Sequence, residues 1–331
     1  MANSHVIVSS SPHIRSKDTT QRLMIDVLVA LAPALLCGVL YFGFRALFLT
    51  AVSVASCLVF EYGWQKLLKK KVMISDCSAV VTGVLLAFNM PVTVPFWIPV
   101  IGSFVAIIIV KQLFGGIGCN FMNPALAGRA FLLASWPVLM TKFVPPFTTG
   151  FFIGTDVVSS ATPLAILKTG TGFESLPTIS QMILGNIGGC IGETSAIALL
   201  IGGLYLIIRR VISPRIPVSF IATVAVLSFL FSRGSMSAVD SMLYNVFGGG
   251  LFLGAFFMAT DYVTSPITAK GQIIMGIGCG LITFMIRRFG GYPEGVSYAI
   301  LLMNVATPLI DKWCRNKKFG YVKKKSVKKK A

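Results

Sequence analysis

The chain has two histidines in 331 residues, His5 and His13, both ahead of the first long apolar run. A haem or metal centre held by histidines on helices is therefore not expected. Its seven cysteines, at 37, 57, 77, 119, 190, 279 and 314, are odd in number, scattered and never spaced C-x-x-C. That argues against an iron–sulfur or zinc site built by this chain alone, and against a disulfide framework. No G-x-G-x-x-G followed by an acid in a βαβ context is present, which removes the usual dinucleotide site. Charge is scarce as well: 12% of residues are Asp, Glu, Lys or Arg, and only 11 are acidic.

What fills the chain instead is apolar. With 55% hydrophobic residues and a mean hydropathy of +0.82, it is too apolar for a fold whose surface faces water, and reads as an all-α polytopic membrane protein. The formal charge of +18 raises nucleic acid as a partner. The basic residues, however, cluster beside helices and in a C-terminal tail rather than on an aromatic-interleaved face. They read as orientation signals and contacts to anionic membrane lipids, with no nucleic acid.

The first residues are polar, carry Arg15, Lys17 and Arg22 and lack a cleavage site, so the first span is expected to remain in the membrane. Spans follow at 23–44, containing Pro33, and at 46–64. The basic loop 65–71 is cytoplasmic by the positive-inside rule, and so is the N-terminus. Segment 75–90 is short for a span and runs into Pro91-Val92-Thr93-Val94-Pro95, too apolar for an ordinary loop and too proline-rich for a helix. A span at 96–110, a glycine-rich break at 114–125 and a fifth span at 126–140 close the first block. Within that break, Asn123-Pro124 reads as a helix start.

After the polar interval come spans at 183–208, 216–231, 245–260, 273–286 and 298–310, making about ten. The division expected is a cytoplasmic arm 1–22, a first five-helix repeat 23–140, an extracytoplasmic loop 141–180, a second five-helix repeat 181–312 and a basic cytoplasmic tail 313–331. Arg287-Arg288 breaks the charge alternation by falling in an outer loop. Residues 83–95 match 254–266 at a constant offset, sharing Gly, Val-Thr and Pro, and Phe114-Gly115-Gly116 matches Phe289-Gly290-Gly291. Five spans apart, the two copies would be inverted, which accounts for the misplaced arginines. The broken segments 91–95 and 262–266 are then expected to meet near the midplane. Asp261 becomes a candidate ion-pathway carboxylate, with Asn89, Thr93 and Thr264 as neutral oxygen ligands; the simpler alternative is a loop-end acid pairing with Lys270. Asp76 and Glu193 pose the same question less sharply.

The polar interval holds Asp156-Val157-Val158-Ser159-Ser160-Ala161-Thr162, followed by Pro163. By residue type alone it is an extended turn. It also resembles the Asp-x-x-Ser-(small)-Ala-Thr signal at which a flavin transferase joins FMN, through its phosphate, to Thr in the NqrB/RnfD family. These are membrane subunits of Rnf and Na+-pumping NADH:quinone oxidoreductase complexes. Ser11-Pro12-His13-Ile14, the Asn123-Pro124-Ala125 break, Thr260-Asp261-Tyr262-Val263-Thr264-Ser265-Pro266 and the chain length extend the resemblance over nearly the whole sequence, closest to the Rnf D-subunit branch. Ser160, where many relatives have Gly, departs from the pattern.

The resemblance implies a urea-transporter-like fold of two inverted five-helix repeats with broken helices. It implies covalent FMN on Thr162, with Asp156, Ser159, Ser160 and Ala161 read by the transferase, and leaves room for a second, non-covalent flavin such as riboflavin. It further implies a bacterial plasma membrane location and partnership with Rnf subunits A, B, C, E and G, the last carrying its own FMN. The activity implied is passing electrons in ferredoxin:NAD+ oxidoreduction coupled to Na+ or H+ translocation, with ferredoxin and NAD+ docking elsewhere. The alternatives are the B subunit of the quinone-reducing complex, a passive urea-type channel, and a structural anchor for redox partners.

Overall fold

A computed structural model describes residues 18–147, 160–169, 176–232 and 236–315; the expected sites Asp156 and Ser159, and most of the basic tail, lie outside them. Every regular element among the described residues is helical. Helix α1 (Thr20–Phe42) starts where the Thr19 hydroxyl accepts the Arg22 N–H, and α2 (Phe44–Leu67) follows after Gly43 at φ 72°. At 23 and 24 residues, both exceed the ~20 that cross a hydrocarbon core. Leu36, Leu40, Phe48 and Val59 face outward from them, as lipid-facing residues do. Helix α13 (Ala269–Phe289) is the third of this kind.

The remaining helices are shorter: α3 (Ser78–Phe88), α4 (Trp97–Gln112), α5 (Pro124–Ser135), α6 (Pro137–Met140), α7 (Pro163–Thr169), α8 (Ile179–Leu184), α9 (Ala196–Ile208), α10 (Arg215–Leu230) and α14 (Val296–Trp313). Helices α11 (Ala238–Phe247) and α12 (Leu251–Met258) are together long and apolar enough for one span but are bent by 59° at the break between them. The chain is a polytopic membrane protein in which full-length and broken helices pack together. Glycine sets the closest crossings: a Cβ on Gly202 of α9 would overlap the Ala30 carbonyl of α1, and one on Gly276 of α13 would lie 2.8 Å from the Ile216 carbonyl of α10.

The contacts define two ends of the bundle. At one, which carries the 65–71 loop, Arg209 pairs with Asp26 at 3.2 Å, Arg215 donates to Gln272, and the Tyr262 hydroxyl reaches the Val211 carbonyl. At the other, Arg45 donates to the Val92 and Val94 carbonyls at 2.9 and 3.0 Å, Thr93 donates to the Lys142 carbonyl at 2.7 Å, and the Tyr41 hydroxyl donates to the Leu184 carbonyl. Segments 91–95 and 262–266 therefore sit at opposite ends and do not meet. What meets in the interior are the helix ends beside them: the Asn89 amide approaches the Met258 sulfur at 3.6 Å.

Two further expectations change. The 183–208 span is not one helix, because Gly185, at φ 106°, ends α8 and the chain runs irregularly to Ser195 before α9 begins. This stretch is buried from Gly189 to Ser195, and its Ile191 and Gly192 N–H groups donate to the Met90 and Phe88 carbonyls at the end of α3; protein replaces the missing helix bonds. The fifth span also ends early: α5 stops at Ser135, since Pro137 brings no N–H to continue it. Asn123 does cap α5, accepting from the Ala125 and Leu126 N–H groups, with Pro124 in the first turn.

Overpacking a crossing with no room costs about 1–3 kcal/mol. Gly202→Val is expected to lower the thermal midpoint of the detergent-solubilised protein by several degrees; an unchanged midpoint would show that α1 and α9 do not cross this closely.

Candidate functional site

Ser160, Ala161 and Thr162 lie at the end of the bundle opposite the 65–71 loop. The Ser160 N–H donates to the Phe143 carbonyl at 2.9 Å, and Thr162 stands immediately before α7. Pro163 pre-sets the first helical turn, and the Thr162 Oγ1 accepts the Ala165 N–H at 3.3 Å. Thr162 is 6% exposed. Beside it, the Ser160 hydroxyl is buried and has no hydrogen-bond partner among the described residues. It rests against Gly188, where a Cβ would come within 2.5 Å of the Ser160 oxygen. The segment is thus held at both ends and keeps one polar atom open.

A second polar site lies inside the bundle. A cavity of about 100 Å3 is walled by α1, α3, α9 and α12 and lined on its polar side by Ser78, Thr82, Lys111, Asn120, Asn123 and Asp261. Asp261 accepts from the Thr264 hydroxyl at 3.1 Å and makes no ion pair with Lys270 among the described residues. The break between α12 and α13 positions both. At the far wall, the Lys111 Nζ lies 2.9 Å from both Glu61 carboxylate oxygens and donates to the Ser78 hydroxyl at 2.6 Å, while Gln112 adds a bond of 2.8 Å to Glu61. Lys111 and Glu61 are both buried, and such a pair resists disruption because either charge alone would be stranded. The cavity therefore presents one carboxylate, Asp261, with neutral oxygens around it and a compensated cation opposite.

Of the expected oxygen ligands, only Thr264 touches Asp261. Thr93 binds the Lys142 carbonyl at the loop end, and Asn89 belongs to a third cluster. There Arg129 donates to Asn89 Oδ1 at 2.6 Å and to Glu294 Oε2 at 2.5 Å, and Glu193 accepts the Cys190 N–H at 3.0 Å. Arg129 joins the end of α3, the irregular 185–195 stretch and the entry to α14. Sequence reasoning singled out neither Arg129 and Glu294 nor Glu61 and Lys111 as a pair. The available signal was a charged residue inside an apolar window: Glu61 within 46–64 and Arg129 within 126–140.

Broken helices, buried ion pairs and a polar interior cavity define a polytopic membrane protein whose interior holds charge. The sequence profile of the NQR2, RnfD, RnfE family matches residues 7–320, and the chain belongs to that family. It is 55% identical over 322 residues to the D subunit of the Na+-translocating ferredoxin:NAD+ oxidoreductase complex of Acetobacterium woodii, covering 96% of each chain. It is 45% identical over 320 residues to the D subunit of the proton-translocating ferredoxin:NAD+ oxidoreductase complex of Clostridium ljungdahlii, covering 95% of this chain and 96% of the relative. The D subunit of the ion-translocating oxidoreductase complex of Colwellia psychrerythraea is 37% identical over 346 residues, covering 96% and 98%.

Removing one partner of a buried charged pair costs roughly 3–5 kcal/mol, whereas replacing both costs much less. Arg129→Met is expected to destabilise strongly, and Arg129→Met with Glu294→Met to recover part of the loss, read from unfolding midpoints in a double-mutant cycle. Strictly additive losses would contradict the pairing.

Proposed function

We propose that this chain is the flavin-bearing membrane subunit of an Rnf-type complex, which passes electrons in ferredoxin:NAD+ oxidoreduction coupled to ion translocation. The observation that carries the reading is the family match spanning residues 7–320 together with Thr162 seated at a helix start beside an open Ser160 hydroxyl. When bound, FMN supplies redox chemistry that no side chain here offers. This chain's part is to hold it: the Thr162 oxygen takes the phosphoester, and Ser160 offers a hydroxyl and Gly188 a missing Cβ beside it. Asp156, Ser159, Ser160 and Ala161 are what the transferase reads. Because Thr162 is buried, that enzyme acts before the segment packs or while it is lifted.

The orientation follows from charge. Thr162 lies at the end opposite the basic 65–71 loop, so with that loop cytoplasmic the flavin faces the extracytoplasmic side. The inverted five-helix repeat of a urea-transporter-like fold is supported by the breaks themselves. The 89–96 break follows α3 and precedes α4, and the 259–268 break follows α12 and precedes α13; their boundaries fall within one residue of the offset separating Gly83 from Gly254. The two breaks sit at opposite ends, as inverted copies require. A second, non-covalent flavin such as riboflavin fits the interior cavity only if its walls part, since about 100 Å3 is below the usual size of a ligand site. Asp261 takes the coupling cation, Na+ or H+, with Thr264 beside it. Other Rnf subunits, A, B, C, E and G, supply the partner redox sites.

Two measurements test this. Expressed with its transferase, the chain should fluoresce as a flavoprotein on a denaturing gel, and Thr162→Ala should not; a fluorescent mutant or a dark wild type sinks the assignment. In the assembled complex, Asp261→Asn should reduce ion transport at least tenfold, the loss of about 1.4 kcal/mol of ion binding. Unchanged transport would remove Asp261 from the pathway.

A further inference from the structure

Arg287 and Arg288 stand at the end of the bundle opposite the 65–71 loop, where the positive-inside pattern leaves them unexplained. They end α13, but Arg287 does not serve its own helix. Its Nη1 donates to the Asn245 carbonyl and its Nη2 to the Gly248 carbonyl at 3.1 Å, closing the bend between α11 and α12. That leaves the Nε of a side chain 7% exposed without a partner among the described residues. The Ser228 hydroxyl of α10, also buried, has none either. Both residues line one cavity of about 50 Å3, together with Arg288, Ser241 and Asn245. A structural cap needs neither the second arginine nor the two open polar atoms, and unpartnered polar groups in a bilayer-embedded protein are unfavourable.

We propose that this cavity binds a phosphate group at its arginine wall. A phosphate oxygen accepts from guanidinium and hydroxyl donors together, and arginine matches its geometry. The other wall is apolar, formed by Leu167, Phe231, Met236 and Phe284, and Phe231 is exposed on the surface of the bundle. An anionic phospholipid, with its phosphodiester on the arginines and its glycerol and first methylenes on the aromatic wall, satisfies both halves; inorganic phosphate satisfies only the first. The cavity shares α7 with the Thr162 segment through Leu167 and shares no lining residue with the Asp261 cavity, and the proposal rests on neither of those assignments.

The test uses the complete complex, purified in detergent and titrated separately with phosphatidylglycerol and with inorganic phosphate, with adducts on this subunit counted by native mass spectrometry. One phosphatidylglycerol should be retained per chain. Arg288→Gln, and Arg287→Lys, which keeps the charge but replaces the guanidinium fork with a single ammonium, should each weaken it about tenfold, the order of one charge-assisted hydrogen bond. If Arg287→Lys disturbs the α11–α12 bend and fails to assemble, Arg288→Gln and Ser228→Ala carry the comparison. Retention of inorganic phosphate without lipid, sensitive to the same variants, assigns the site to the free anion. Binding of neither probe, or binding unchanged in the variants, overturns the proposal.

Discussion

Backbone that leaves the helix inside a bilayer must find its hydrogen bonds within the protein, and the rest of this structure depends on how it does so. The Phe88 and Met90 carbonyls, freed where α3 ends, are taken by the Gly192 and Ile191 N–H groups of the irregular stretch before α9. Asn89, between them, is held by Arg129, and Arg129 by Glu294. The break after α3 is thus held by residues from later in the chain, and the Met258 carbonyl at the end of α12 in turn accepts from the Asn123 amide at 3.3 Å. The broken helices are held in place by a small set of charged and amide groups rather than by the apolar packing that surrounds them, since lipid competes equally for apolar faces.

That arrangement gives the interior two kinds of polar site. Glu61 with Lys111, and Arg129 with Glu294, are compensated pairs whose main effect is positional. Asp261 differs: it accepts from the Thr264 hydroxyl at the mouth of a helix break, without a paired cation among the described residues. A carboxylate of that kind attracts a mobile cation when charge appears nearby, whereas the compensated pairs do not. The loop end carries the complementary feature, a threonine fixed at a helix start, where a tethered group would be held against the bundle rather than left on a free loop.

Part of this was legible in the sequence, and the reasons for the misses are physical. Hydropathy located the long apolar helices α1, α2 and α13, and residue type located the Asn123-Pro124 start and the break after Phe88, because proline, glycine and capping residues act locally. It misread 183–208 as one helix. An apolar stretch looks the same extended or helical once protein satisfies its backbone, although Gly185, Gly188, Gly189 and Gly192 marked the difference. It also placed segments 91–95 and 262–266 together when only the helix ends next to them meet. Which end of a broken span faces inward depends on pairing across the fold, as Arg129 with Glu294 does from 165 residues away. Side-chain pairing at that range leaves no periodic trace.

The central claim is that Thr162 carries the redox group, and peptide mapping of the chain isolated from cells with an active flavin transferase addresses it most directly. The account predicts that the peptide containing Ser160, Ala161 and Thr162 gains the mass of FMN less water, with the fragment series assigning the addition to Thr162. An unmodified Thr162, or an addition mapped to Ser160, would contradict it.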